Sequence, residues 1–170
     1  MKSNIIFAMI MITTIMITAC KQTEQKVEVV EIDLLNDEFS EAQKAVSMTL
    51  DSIVQSVKDG DLDRLIAFHA YGPKFTEFKN GEVRNGDKEN EDFERGVFGS
   101  VTEISKFDFN DTKIAVYGDI ANVTTHTDFH LKFGEEMAVI NDQMTLLFLN
   151  TDDGWRIIHE HHSPMNSTEE

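Results

Sequence analysis

Apolar side chains recur at helical spacing at Ala42, Ala45, Val46, Leu50, Ile53, Val54 and Val57, which predicts an amphipathic helix of about five turns. Ser40 stands where an N-cap is needed, with Gln43 three residues on as the reciprocal partner of a capping box, and Gly60 ends the run. Asp61 opens a shorter helix from Leu62 to about His69, with Leu65, Ile66 and Phe68 inward, and Gly72-Pro73 breaks it. Phe75 to Phe78 reads as a strand, and Asn80-Gly81 as a tight turn into Val83. The charged stretch Asp87–Phe98 predicts a third helix on Phe93, Val97 and Phe98. From Val101 onward the period falls to two. Strands are expected at about 101–109, 112–117, 120–133, 137–150 and 154–162, with turns at Asn110-Asp111, Gly118-Asp119, Gly134-Glu135 and Asp152-Asp153-Gly154. Helices followed by a meander of antiparallel strands make an α+β layout.

Two segments do not belong to this pattern. Ile5 to Ile17 is almost unbroken apolar sequence after Lys2, too short to span a bilayer comfortably and followed at once by polar residues, so it reads as a secretion signal. It ends in Ile17-Thr18-Ala19-Cys20, which resembles the lipobox of bacterial lipoproteins. That resemblance implies cleavage before Cys20 and a lipid on its thiol, and so a protein anchored to a membrane of the bacterial cell envelope, on its periplasmic side or at the surface. Residues 20–39 are then the lipidated cysteine and an acidic tether, though Val27 to Leu35 holds enough apolar residues to dock on the domain beyond it. The expected organisation is a signal peptide at 1–19, this tether, a domain at 40–163, and a disordered tail at 164–170.

Charge narrows the partners. Fifteen basic against 31 acidic residues give a net −16, which excludes a nucleic-acid partner and a polybasic hold on anionic lipid. The membrane contact therefore falls to the lipid, and two acyl chains suffice for it. Cys20 is the single cysteine, so with it acylated neither disulfides, nor cysteine catalysis, nor a cysteine-rich zinc site is available.

The last predicted strand, Asp153-Gly154-Trp155-Arg156-Ile157-Ile158-His159-Glu160-His161-His162-Ser163, resembles the closing strand of SnoaL-like domains in the nuclear transport factor 2-like superfamily. The element order over about residues 40–163 agrees with that family. The resemblance implies three N-terminal helices packed on a strongly curved antiparallel sheet. It further implies a cone with a pocket at its open end and often a homodimer through the sheet. It does not imply one reaction, because the fold hosts enzymes, binders and assembly modules.

Candidate chemistry lies mainly in two strands. On 120–133, Val123, Thr125, Thr127, Phe129, Leu131 and Phe133 share one face, and Thr124, His126, Asp128 and His130 the other. His126-x-Asp128-x-His130 offers three ligand types, but same-face neighbours stand roughly 6.5–7 Å apart, wide for one ion, so the set reads as a polar strip and no metal is expected. On the closing strand, simple alternation groups Trp155, Ile157, His159, His161 and Ser163 against Arg156, Ile158, Glu160 and His162. His161, His159 and His126 are candidate acid–base residues, with Asp128 as a candidate partner of His126 or His161; structural hydrogen bonding is the plainer role for them. His69, Tyr71, Phe75, Phe78, Glu160 and His162 are pocket candidates. Ketosteroid isomerases, in the same superfamily, carry a tyrosine on the first helix and a base just before an early proline. Here the tyrosines are Tyr71 and Tyr117, and Gly72 precedes Pro73, so that constellation is not at matching positions. The reading is a membrane-anchored domain that binds a small, partly apolar molecule or assembles as a dimer, with no cofactor and without dedicated catalysis. The competing reading is a cofactor-independent lyase, isomerase or hydrolase using pocket histidines.

Overall fold

Ten elements appear in the computed structural model, which describes residues 32–165. The predicted leader, Cys20, most of the tether and residues 166–170 lie outside the described residues. Helix α1 spans Ser40–Asp59 and buries Val46, Leu50, Ile53 and Val57 along one face, as the spacing predicts. Its start differs from expectation. Phe39, in the left-handed region at φ 48°, is the N-cap, Ser40 is already helical, and Gln43 Nε2 donates to the Glu38 carbonyl oxygen instead of closing a box. Gly60, at φ 69°, ends the helix in the conformation where a Cβ is strained. The Asp61 side chain caps α2, Leu62–Ile66, by accepting from the Arg64 N–H; this helix stops short of His69.

Strands β1 (Thr76–Lys79) and β2 (Glu82–Asn85) form a hairpin through Asn80-Gly81, both at positive φ. Helix α3 comes next at Gly86–Gly99. The segments expected at 101–109 and 112–117 are one strand, β3 (Glu103–Tyr117), with an irregular register between Asn110 and Lys113 where Asp111 turns to φ 52°. Strand β4 is Ile120–Phe133, as predicted. The run expected at 137–150 divides at Asn141 into β5 (Glu136–Ile140) and β6 (Asp142–Thr151), which pair with opposite halves of β4. Thr127 Oγ1 accepts from the Asp142 N–H (3.0 Å) where the ladder passes from one to the other. Strand β7, Gly154–Pro164, closes the chain and runs to the first residue of the expected tail.

The sheet order is β2-β1-β7-β6-β4-β3, with β5 beside β4. It is mixed, not wholly antiparallel: β1 lies parallel to β7, and the other pairs are antiparallel. Bulges bend long strands. The inward faces of β3, β4, β6 and β7 meet α1 over a core that includes Phe107, Val123, Phe129, Leu131, Leu146, Phe148, Trp155 and Ile157. Among the described residues no helix is long and apolar enough to cross a membrane.

Candidate functional site

A cavity of about 70 Å³ opens between the inner face of the sheet, α1 and α3. Its walls are largely apolar and include Phe107, Phe129, Leu131, Met144, Leu146 and Ile157; His69, Lys79, Glu94, Glu160 and His162 supply the polar groups.

A bulge in β7 decides which residues reach it. Phe148 pairs with Ile157 but Leu147 pairs with His159, so Ile158 has no partner and the alternation restarts one residue later. Trp155 and Ile157 are buried, and after the bulge the buried residues are Glu160 and His162. The single face expected for Trp155, Ile157, His159 and His161 is therefore broken, because simple alternation holds only where each residue has one opposite it.

The parallel pairing of β1 with β7 sets Glu77 directly beside Glu160. Residues paired this way project from the same side of the sheet, and Glu77 is 0 % exposed. Glu77 Oε2 accepts from Asn90 Nδ2 (2.9 Å), Arg84 Nη1 lies 3.4 Å from it, and the Tyr71 hydroxyl donates to Asn90 Oδ1. The Arg84 guanidinium also lies over the Phe93 ring, 3.6 Å from its centroid.

His69 is delivered by the chain after α2, where the Ala70 N–H donates to the Ile157 carbonyl and the Ile157 N–H to the Phe68 carbonyl, both at 2.8 Å. Its Nδ1 faces the Ile66 carbonyl oxygen at 3.2 Å and its Nε2 faces Glu160 Oε1 at 3.0 Å. Both ring nitrogens thus meet acceptors, an arrangement that suits the imidazolium. Burial pulls His69 toward its neutral form, but the hydrogen bond and charge of Glu160 prevail and hold it above its ordinary pKa. For Glu160, burial alone would favour the acid; hydrogen bonds from His162 and His69 outweigh it and hold the carboxyl well below the usual range. Glu94 is pushed up to about 7, by burial first and then by the negative charge of Glu160. An ion pair and a carboxyl that titrates near neutrality thus sit at one end of an apolar cavity.

Other expected residues lie elsewhere. Tyr71 stacks on His69 (4.9 Å) with Phe75 edge-on to both, so these two back the site. Phe78 is 43 % exposed and meets His159 and His161 edge-on, on the outer side of the sheet. His159 Nδ1 donates to the Thr76 carbonyl (3.0 Å). His126 pairs with Asp111 (3.3 Å) and Asp128 with Lys106 and His130, also on the outer side. The four expected acid–base residues, His126, Asp128, His159 and His161, are therefore not brought to this cavity. His69, Glu160 and His162 are. Glu77, Arg84, Asn90 and Glu94 were not expected, although alternation from Phe75 already places Glu77 on the inner face.

Comparisons with known proteins bear on the fold and the family. The sequence profile of the SnoaL-like domain matches residues 46–167. None of the curated proteins matches the chain in sequence. Among solved structures, the chain is similar to a candidate dehydratase of the nuclear transport factor 2-like family from Streptomyces avermitilis. The TM-score is 0.68 at 20% identity, over 75% of this chain and 99% of that one. It is similar to a nuclear transport factor 2-like superfamily protein from Salmonella enterica serovar Typhimurium (TM-score 0.64, 18% identity, 76% and 94% of the two chains). It is also similar to the calmodulin-dependent kinase II hub of S. rosetta (TM-score 0.57, 21% identity, 72% and 96%). At these identities the structures show the fold alone, which fits helices packed on a curved sheet. The profile covers well over half of the chain, and the chain therefore belongs to the family of SnoaL-like domains.

Proposed function

We propose that the domain binds a small, partly apolar molecule in the cone cavity, its apolar part among Phe107, Phe129, Leu131 and Leu146 and its polar group against Glu94, His69 and His162. The observation that carries this reading is the asymmetry of the cavity: apolar walls, with buried charged groups converging at one end. At about 70 Å³ the space is smaller than the roughly 150 Å³ cavity that accommodates benzene, so the ligand is a few heavy atoms or widens the opening as it enters. Solvent extraction of the purified protein, followed by mass spectrometry, is expected to release a small molecule that a cavity-filling Leu146→Phe variant does not carry. If nothing is released, and a panel of small amphiphiles shifts neither protein's melting temperature, the binding reading is wrong.

A second reading, proton transfer in a cofactor-independent lyase or isomerase, is favoured by Glu94. A carboxyl with a pKa near 7 beside a fixed ion pair is poised as a general acid or base. Here Glu94→Gln would lower turnover of the extracted molecule by far more than it weakens its binding; unchanged turnover removes this reading.

Two further parts of the proposal concern the whole chain. Acylation of Cys20 would tether the domain to a bacterial envelope membrane, as the lipobox-like run supports. Intact-mass comparison of wild type with Cys20→Ser in the membrane fraction decides it, since a mature wild type without acyl mass rules the anchor out. Pairing of two copies through the outer face of the sheet would give a homodimer, and exposed Phe78 and Val139 support that surface. A monomer mass in sedimentation at micromolar concentration would exclude it.

A further inference from the structure

The buried carboxylates of β1 and β7 are more than neighbours of the cavity. One carboxylate oxygen from each of Glu77 and Glu160 and one ring nitrogen of His162 all lie within 4.8 Å of one another, and all three residues are buried. The oxygens divide their work. Glu77 Oε2 accepts from Asn90 and lies 3.4 Å from Arg84 Nη1, whereas Glu77 Oε1, like Arg84 Nη1, is buried with no hydrogen-bond partner. Glu160 Oε1 is held by His69 at 3.0 Å, whereas Glu160 Oε2 meets only His162 Nε2, at 3.5 Å, the far limit of a hydrogen bond. Each carboxylate is thus oriented through one oxygen and left with a weakly satisfied one, and the two residues stand side by side in the sheet next to His162. Supporting hydrogen bonds on the outer atoms of a ligand set have this form in metal sites. An unpaired buried carboxylate oxygen is otherwise costly to retain.

We propose that Glu77 Oε1, Glu160 Oε2 and His162 Nε2 bind one divalent first-row transition-metal ion, with zinc as the best-matched probe. Two carboxylate oxygens and an imidazole suit zinc and its neighbours; calcium and magnesium take larger all-oxygen sets. Ligand bonds of about 2.0–2.2 Å require the three groups to draw together, which small side-chain rotations supply. His162 ligates as the neutral imidazole, its Nε2 lone pair turned to the ion and its ring proton on Nδ1. Glu160 and His162 also line the cavity, so the ion would sit at its polar end. The site does not depend on the identity, or the existence, of a cavity ligand. The competing account is that Arg84 and His69 neutralise the two carboxylates without any ion.

The test uses the purified full chain, stripped with chelator, incubated with Zn²⁺ and desalted. Elemental analysis is expected to find one zinc per chain, with a raised melting temperature. Glu77→Gln and His162→Asn should each abolish retention, and the outer-face pair His126→Ala/His130→Ala should leave it intact. His69→Gln, which removes support from Glu160, should weaken zinc affinity about 10- to 100-fold. Histidine side-chain NMR of the wild type locates the ion even where a variant does not fold: Zn²⁺ should shift the His162 resonances and spare those of His126 and His130. No retained zinc, shifts confined to His126 and His130, or retention unchanged in both ligand variants would each overturn the proposal.

Discussion

At the residue scale, the site turns on how buried charges are matched. Glu94 titrates at about 7 when folded, against an ordinary value of 4.5, so the native state binds its proton more tightly than the unfolded chain does. Its contribution to stability is complete below the unfolded value and is lost as pH rises from about 4.5 through about 7. That loss amounts to about 3 kcal/mol. Urea midpoints of wild type and Glu94→Gln should differ least near pH 4, where Glu94 is neutral, and shift in the variant's favour toward pH 8, because wild type declines where the variant stays flat. Parallel curves would refute the shifted carboxyl. His69 acts in the other direction, as the partner that lets Glu160 stay ionised. His69→Ala leaves a buried carboxylate without its imidazolium, and a loss of about 3–5 kcal/mol in chemical denaturation is expected. Of these residues, Glu77 was legible from its alternation with Phe75. Glu94 was hidden: α3 reads as built on Phe93, Val97 and Phe98, yet its buried positions are Asn90 and Glu94, with the aromatics half-buried beside them. Charged residues on a polar helix look like a solvated face until another element covers them.

At the element scale, periodicity located every helix and nearly every strand among the described residues, because burial of one face forces the 3.6 and 2.0 repeats. Failures came where pairing, not pattern, sets the outcome. Asn141 divides β5 from β6 because each pairs with a different half of β4. The β7 bulge moved Glu160 and His162 inward and His159 and His161 out, against simple alternation. Deleting Ile158 removes the unpaired residue and keeps Ile157, Glu160 and His162 on the inner face. A folded protein weakened by about 1–3 kcal/mol is expected, with near-UV circular dichroism retained. Complete unfolding of that variant would show that the bend itself is indispensable. At the end of α1, Gly60→Ala should cost about 1 kcal/mol in the same assay, since Gly60 holds a left-handed φ of 69° in open space.

At the scale of the molecule, a net charge of −16 on 170 residues sets a uniform self-repulsion that no single contact relieves. Raising salt from about 0.02 M to about 0.2 M shortens the screening length to below about 10 Å. The melting temperature should rise, and a fall would show that specific ion pairs outweigh the general repulsion. The sequence by itself determined the α+β class, the order of elements, the core face of α1 and β4, and membership of the SnoaL-like family, all of which rest on local periodicity and a closing-strand motif. Only the tertiary structure decided which polar residues face the cavity. Glu77 meets Glu160 through a parallel pairing between strands far apart in the chain, and His69 reaches Glu160 across 91 residues. A bulge between β6 and β7 fixes which way Glu160 and His162 point. Such choices depend on partners distant in sequence, and no local pattern of hydrophobic and polar positions records them.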